Sequence, residues 1–289
     1  MRQPLPVFLL ATALLGSGGV RAAEDPPATP QKGELAPPGT TPISPPLPIG
    51  VEADVYCTGW IEEPGTAYPA SIFSAELVNS KLGYFQGDVV YIDSGSNQGL
   101  AAGQEYWIVR PERTIYRPGS LTDVVGRVLL TPGRARIICA QEDSAIAEIV
   151  LSCSDVNIGD QLLPFEPIPI PLVRRTAPLS SCDPKTGKVT GQIVGDYDDW
   201  TPIATGSVVY LDIGEDDGLL PGDFLSVFRP PAQIETLGYI IGDTSAPTNR
   251  GIRIMLGEAA ILSTQKRTSV AIITSMRDMM YVGDHVEMK

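Results

Sequence analysis

From residue 70 onward, apolar residues come in short runs broken by glycine, and no long stretch repeats them at the 3.6-residue spacing of a capped helix. Residues 88–93 (DVVYID) and 207–212 (SVVYLD) are β-branched and aromatic runs, each ending in a Gly-rich turn at 95–99 and 214–218. Residues 104–110 and 223–229 predict a second strand in each set, stopped by Pro111 and Pro230. Residues 135–140 and 259–264 predict a third. After a charged turn (Glu142-Asp143, Lys266-Arg267), residues 145–151 and 269–274 predict a fourth. The tight turns at Gly159-Asp160 and Gly283-Asp284 lead into a last strand, and the segments 72–86 and 192–205 place one more strand ahead of each set.

These parallel readings reflect an internal repeat. Residues 87–111 and 206–230 are identical at eleven of twenty-five positions without a gap. Residues 133–160 and 257–284 agree at eight of twenty-eight, and the second copy carries five extra residues between the two blocks. Two halves matching in order predict tandem domains. Short strands between glycine turns predict an all-β chain of two small β-barrel or sandwich domains. Gly99, Gly103, Gly218 and Gly222 fall where a turn requires positive φ or close backbone approach.

The amino terminus changes the picture of where such a chain works. Arg2, an apolar run over 7–20 and the small residues around Ala22-Ala23 read as a secretory signal peptide over 1–23, too short to span a bilayer. Residues 24–49, mostly Pro, Thr, Ala and Gly, read as a disordered, extended linker. The first β-rich module then covers 50–165, a Pro-rich connector 166–180, and the second module 181–289. The connector's apolar residues can pack onto a module. The predicted location is periplasmic or extracellular, with no membrane span after cleavage. The net charge of -13 argues against nucleic acid as a partner. The four cysteines, Cys57, Cys139, Cys153 and Cys182, allow three pairings in an oxidising compartment.

Candidate chemistry is sparse. His285 is the single histidine, with no nucleophile beside it in sequence, which removes most triad and multi-histidine metal mechanisms. The acidic groups Asp196, Asp198, Asp199 and Asp212, Glu215, Asp216, Asp217 lack the EF-hand spacing and read as solvated turns. Residues 184–188 (PKTGK) lack the leading glycine and the following Ser or Thr of a phosphate loop. No catalytic residue, metal site or cofactor is predicted. Tyr91 and Tyr210 occupy matching positions in the two copies. With Trp60, Trp107 and Trp200 they are the candidate binding residues, although strand aromatics also serve as packing.

The repeat unit, GDVVYIDSGSNQGLAAGQEYWIVR followed by GRARIICAQEDSAIAEI and NIGD, resembles the carboxy-terminal domain of the flagellar assembly protein T and related regions of LysM-containing envelope proteins. GSVVYLDIGEDDGLLPGDFLSVFR with GEAAILSTQKRTSVAIIT resembles it equally well, and MreC-like cell-shape proteins carry a looser likeness. The resemblance covers the two core units only. It implies a small non-enzymatic β-barrel used in assembly or wall association. No LysM segment is present, so peptidoglycan binding is not carried over. The expectation is an exported, non-catalytic envelope protein. It acts as a structural or interaction module for an envelope protein partner, in a flagellar or secretion-type assembly. The alternatives are a peptidoglycan- or glycan-binding module and, last, a hydrolase.

Overall fold

The computed structural model describes residues 46–62, 65–76, 78–173, 180, 184–198, 203–231 and 252–289. The expected leader, most of the linker, Trp200 and Cys182 lie outside the described residues. Residues Ser44–Lys289 form one compact unit.

The chain is nearly all β and holds two closed six-stranded barrels in tandem. Two short strands flank them, β1 (Leu47–Pro48) and β9 (Leu172–Val173), and one short helix, α1 (Glu52–Tyr56), precedes the first barrel. Barrel one uses β3 (Ala70–Ala75), β4 (Val89–Ile92), β5 (Glu105–Tyr116), β6 (Val124–Ala140), β7 (Ala145–Ser152) and β8 (Gln161–Pro164), with β2 (Trp60–Glu62) added outside along β6. Barrel two uses β10 (Thr190–Asp196), β11 (Val208–Leu211), β12 (Phe224–Arg229), β13 (Ile254–Thr264), β14 (Ser269–Met276) and β15 (His285–Met288). Both close in the same order. β3 pairs with β4, β4 with β7, β7 with β6, β6 with β5, β5 with β8 and β8 with β3, and β10 to β15 repeat that circuit. Closure leaves neither barrel a free sheet edge.

Alternation fills the two interiors. Ile72, Val90, Ile92, Ile108, Ile137, Ala147 and Ile149 point into barrel one; Ile193, Val209, Leu211, Val227, Ile261, Ala271 and Ile273 are their counterparts in barrel two. The turns are built alike. Gly95 and Gly214 precede one-turn 3₁₀ segments that end at Gly99 and Gly218, with φ of 90° and 84°. A Cβ on Gly95 or Gly214 would lie 2.3 Å from the carbonyl oxygen of Gln141 or Gln265, so only glycine fits there. The Gln98 and Asp217 side chains accept from the Gly95 and Gly214 amides, at 2.8 and 3.0 Å. Asp217 therefore caps its own turn.

A matched ion pair fastens each barrel. Arg110 donates from Nε and Nη2 to both oxygens of Asp160, at 2.7 and 2.8 Å, and Arg229 does the same to Asp284 at 2.5 and 2.7 Å. Each aspartate also accepts a backbone N–H, from Asn157 or Tyr281. An arginine of β5 or β12 is thus bolted to the turn that starts the last strand of its barrel.

The second strand of module one does not stop at Pro111. β5 runs on to Tyr116 and returns as β6 from Val124, forming a long hairpin. Pro111 is tolerated because the β5–β6 register is irregular on both sides of it, between Ile108 and Arg110 and between Pro111 and Thr114. The predicted linker also ends earlier than its composition suggests. Leu47 and Pro48 pair with Leu172 and Val173, and the Ile49 amide donates to the Pro171 carbonyl at 3.0 Å.

The hairpin, α1 and β2 together lie on the outer face of barrel two. Val55, Ile61, Ile115 and Val128 from the first module bury Val194, Val208, Tyr210, Leu262, Val270 and Ile272 from the second, and Ile168 and Ile170 of the connector pack at the seam. Polar contacts pin the junction. The Tyr210 hydroxyl donates to the Thr58 carbonyl at 2.7 Å, Arg113 donates to the Asp196 carbonyl, and Arg117 pairs with Asp212. Val208 and Tyr210, the outward residues of β11, are buried as a result.

Burial also pushes the Tyr210 phenol well above its ordinary value, and the Tyr68 phenol, desolvated and bonded to Glu62, up to about 12. The folded state therefore keeps protons that unfolded tyrosines lose near pH ~10. Stability is fully present below that pH and falls as pH rises through the folded values. Tyr210→Phe is expected to lower stability by about 1 kcal/mol near neutrality, through loss of one buried hydrogen bond. It should also make the alkaline decline shallower. Urea midpoints measured from about pH 8 to about pH 11 check both signs.

Candidate functional site

The repeat allows each outward position of barrel one to be compared with its counterpart in barrel two. On the sheet formed by β3, β4, β7 and β6, Phe73, Val89, Tyr91, Ile146 and Ile138 face outward. Their counterparts are Val194, Val208, Tyr210, Val270 and Leu262. Both sets are apolar. The second set lies under the first module's hairpin, with Val194 3% and Leu262 0% exposed. Among the described residues the first set has no such cover, with Phe73 52% and Ile138 51% exposed. Glu148, opposite Val89, and Arg136, paired with it on β6, break the match, where barrel two has Ile272 and Ala260.

The open face mixes aromatic and aliphatic side chains. The Phe73 and Tyr91 rings lie 6.4 Å apart, tilted by 38°. Val89 and Ile146 are half-buried between strands, and Ile138 stands beside the exposed Cys139. At its rim Asp93 accepts from the Ser71 amide and hydroxyl, both at 2.6 Å. Its counterpart Asp212 accepts from the Gln192 amide in the same way and also holds Arg117. The rim carboxylate is therefore present in both copies, and in barrel two it meets an arginine of the covering hairpin.

The aromatic residues singled out by sequence separate. Tyr91 lies on the open face. Tyr210, its match, is buried at the barrel junction. Trp107 is 5% exposed and packs with Tyr56, Trp60 and Phe165 in a satellite cluster outside barrel one, so it is a packing residue. Trp60 is half-buried and lines a cleft of about 300 Å³ with Glu62, Thr66, Leu163 and Lys266. Phe73, Val89, Ile138 and Ile146 carry the face without having been singled out. The available signal was that VVYI in β4 is apolar on both faces of a strand whose interior needs only one.

A second hollow, of about 320 Å³, lies on barrel two between Lys185, Thr190, Phe228, Arg253, His285 and Glu287. The His285 ring stacks on Phe228, with centroids 5.5 Å apart, and the Arg253 guanidinium sits 4.7 Å from the Phe228 ring centre. Arg253 also pairs with the buried Glu287. Burial alone would raise the Glu287 carboxyl. Arg253 and the amides of Thr186 and Gly187 outweigh it and hold the group below its ordinary value. His285 is thus held in a stack, and the carboxylate beside it is engaged by a guanidinium.

Cys57 and Cys153 form a disulfide that joins the end of α1 to the end of β7. Cys139 is free and exposed.

No protein-family model and no curated protein matches this chain.

Proposed function

We propose that this protein is an exported, non-catalytic envelope protein that serves as a rigid interaction module and docks a protein partner on the outer face of barrel one. The observation that carries the reading is the set of five outward positions, apolar in both copies, that are buried in one and open in the other. Exposed apolar clusters of this kind mark interaction sites. The Cys57–Cys153 disulfide suits an oxidising compartment, and the Pro-rich segment over 24–45 suits a spacer that holds the module away from its terminus. The resemblance of the repeat units to assembly domains of flagellar and other envelope proteins supports the same class of role.

Glycan binding is the second reading, favoured by the exposed Phe73–Tyr91 pair. Val89, Ile138 and Ile146 beside that pair are aliphatic, and of the polar groups around them Asp93 is engaged by Ser71 and Arg136 by Glu105, which leaves a sugar few hydrogen bonds, so the face fits a protein better.

A photo-crosslinking residue in place of Tyr91, in cells, is expected to give a discrete adduct that disappears when Phe73→Asp and Ile138→Asp are added. Both altered side chains are about half exposed, so the fold should survive. The mature chain should stay in the supernatant when mixed with purified cell-wall sacculi. An absence of adducts, together with salt-resistant pelleting, would replace this reading with glycan binding.

A further inference from the structure

We infer that the cleft beside Trp60 is a binding site for a molecule with an apolar body and a single carboxylate. The inference goes beyond the docking reading and does not depend on it, because the cleft is built from other residues than the open face of barrel one.

The cleft lies where the two modules meet. β2 supplies Trp60, Ile61 and Glu62 from the first module, while Gln265 and Lys266 come from the turn between β13 and β14 of the second. The two sides are tied together, since the Thr268 hydroxyl just past that turn donates to the Ile61 carbonyl at 3.3 Å. A volume of about 300 Å³ places the cleft at the small end of ligand sites.

Its floor is apolar and held in place. Leu129 is fully buried, Leu163 packs beside it, and the Trp60 ring meets the Trp107 ring edge-on with centroids 6.0 Å apart. A floor of this kind takes an aliphatic or aromatic body.

The polar groups decide the charge of what it holds. Glu62 is 5% exposed, and its carboxylate is already engaged. Oε1 accepts from Arg127 Nε at 2.8 Å, and Oε2 accepts from the Tyr68 hydroxyl at 2.6 Å. The guanidinium matches its charge, so it adds little repulsion toward an anion. Lys266 and Gln265 are different. Neither the ammonium nor the side-chain amide has a hydrogen-bond or ion-pair partner among the described residues. Lys266 offers only donors, and among the lining residues it carries the one charge without a counterpart. One free cation beside one amide complements a monoanion, and with the apolar floor that describes a carboxylic acid of modest size.

Calorimetric titration of the mature chain with N-acetylphenylalanine tests this. The expected dissociation constant is on the order of 1 mM. The uncharged amide of the same compound should bind about fivefold more weakly, the worth of one exposed ion pair. Lys266→Ala should weaken binding of the acid about fivefold and leave binding of the amide unchanged. Lys266 is exposed in a turn, so this variant should keep the unfolding midpoint of the wild type. Excess acid should raise that midpoint in the wild type, because the site exists only in the folded chain.

The same chemistry has two sources, a free acid and the carboxyl end of a polypeptide. A peptide of about five residues ending in phenylalanine with a free carboxylate separates them. Tighter binding than N-acetylphenylalanine assigns the cleft to a chain end; equal or weaker binding assigns it to the small acid. Absence of saturable heat up to about 10 mM would overturn the inference. So would equal binding of acid and amide, or a Lys266→Ala variant that binds the acid like wild type. None of these results touches the Tyr91 adduct, so failure here leaves the docking reading standing.

Discussion

Replacing Asp284 with alanine is expected to lower the unfolding free energy of barrel two by about 3 kcal/mol, more than most single substitutions in this chain. Its carboxylate is 3% exposed and accepts two guanidinium hydrogen bonds from Arg229 and one from the Tyr281 amide. Alanine therefore strips three partners at once. Arg229 is left with its side chain 37% exposed, so water recovers part of its charge and the loss stays near the lower end for buried pairs. The Tyr281 amide loses the acceptor that closes the turn into β15, and β15 is the strand that seals the barrel against β10 and β12. Asp160→Ala should behave alike in barrel one, where Arg110 is the donor. The two losses should add, since the pairs share no partner. Guanidinium titration of both variants and the double variant checks this. A loss below about 1 kcal/mol for Asp284→Ala would show that the pair adds little beyond a solvated turn.

Loss of the Cys57–Cys153 bond should have an effect of similar or greater size. The bond closes a loop across a sequence separation of 96, and chain entropy alone assigns such a loop about 4.7 kcal/mol. Its position adds a local consequence. Cys57 directly follows α1, and Thr58, the next residue, supplies the carbonyl that receives the Tyr210 hydroxyl. Reduction, or Cys57→Ser with Cys153→Ser, should thus loosen the segment that covers barrel two as well as destabilise barrel one. The expected readout is a lowered denaturation midpoint together with earlier proteolysis in the stretch before β2. A reduced protein with an unchanged midpoint would show that the hairpin alone holds the junction.

Much of the barrel framework was legible because it depends on local chemistry. Gly99, Gly103, Gly218 and Gly222 all take positive φ, as turn geometry in both copies predicted. The strand runs around Val90 and Val209 were visible as β-branched clusters. What stayed hidden was relational. Pro111 reads as a strand terminator unless the register irregularity around it is known, so the hairpin was cut short, and with it the contact that joins the barrels. Arg110 and Asp160, and Arg229 and Asp284, are identities of the repeat, yet 50 and 55 residues of separation conceal that they pair. Composition left three cysteine pairings open; the fold brings Cys57 to Cys153 by closing β7 beside α1. Tyr91 and Tyr210 look equivalent along the chain, and their opposite exposure depends on which copy has a neighbour in front of it.

The hairpin reaches only forward, from the first barrel to the second, and this sets an order of assembly. A chain that emerges from its amino terminus completes barrel one first, and the hairpin of that barrel then presents Ile115 and Val128 as a ready template. Barrel two, arriving later, can lay Val208 and Tyr210 against that template as its strands pair, so its outer sheet need never stand bare in water. Expressed without the residues ahead of it, the same barrel would still have six strands to pair, but its outer sheet would stand bare in water. Its maturation is in this sense chaperoned in cis by the half of the molecule that precedes it.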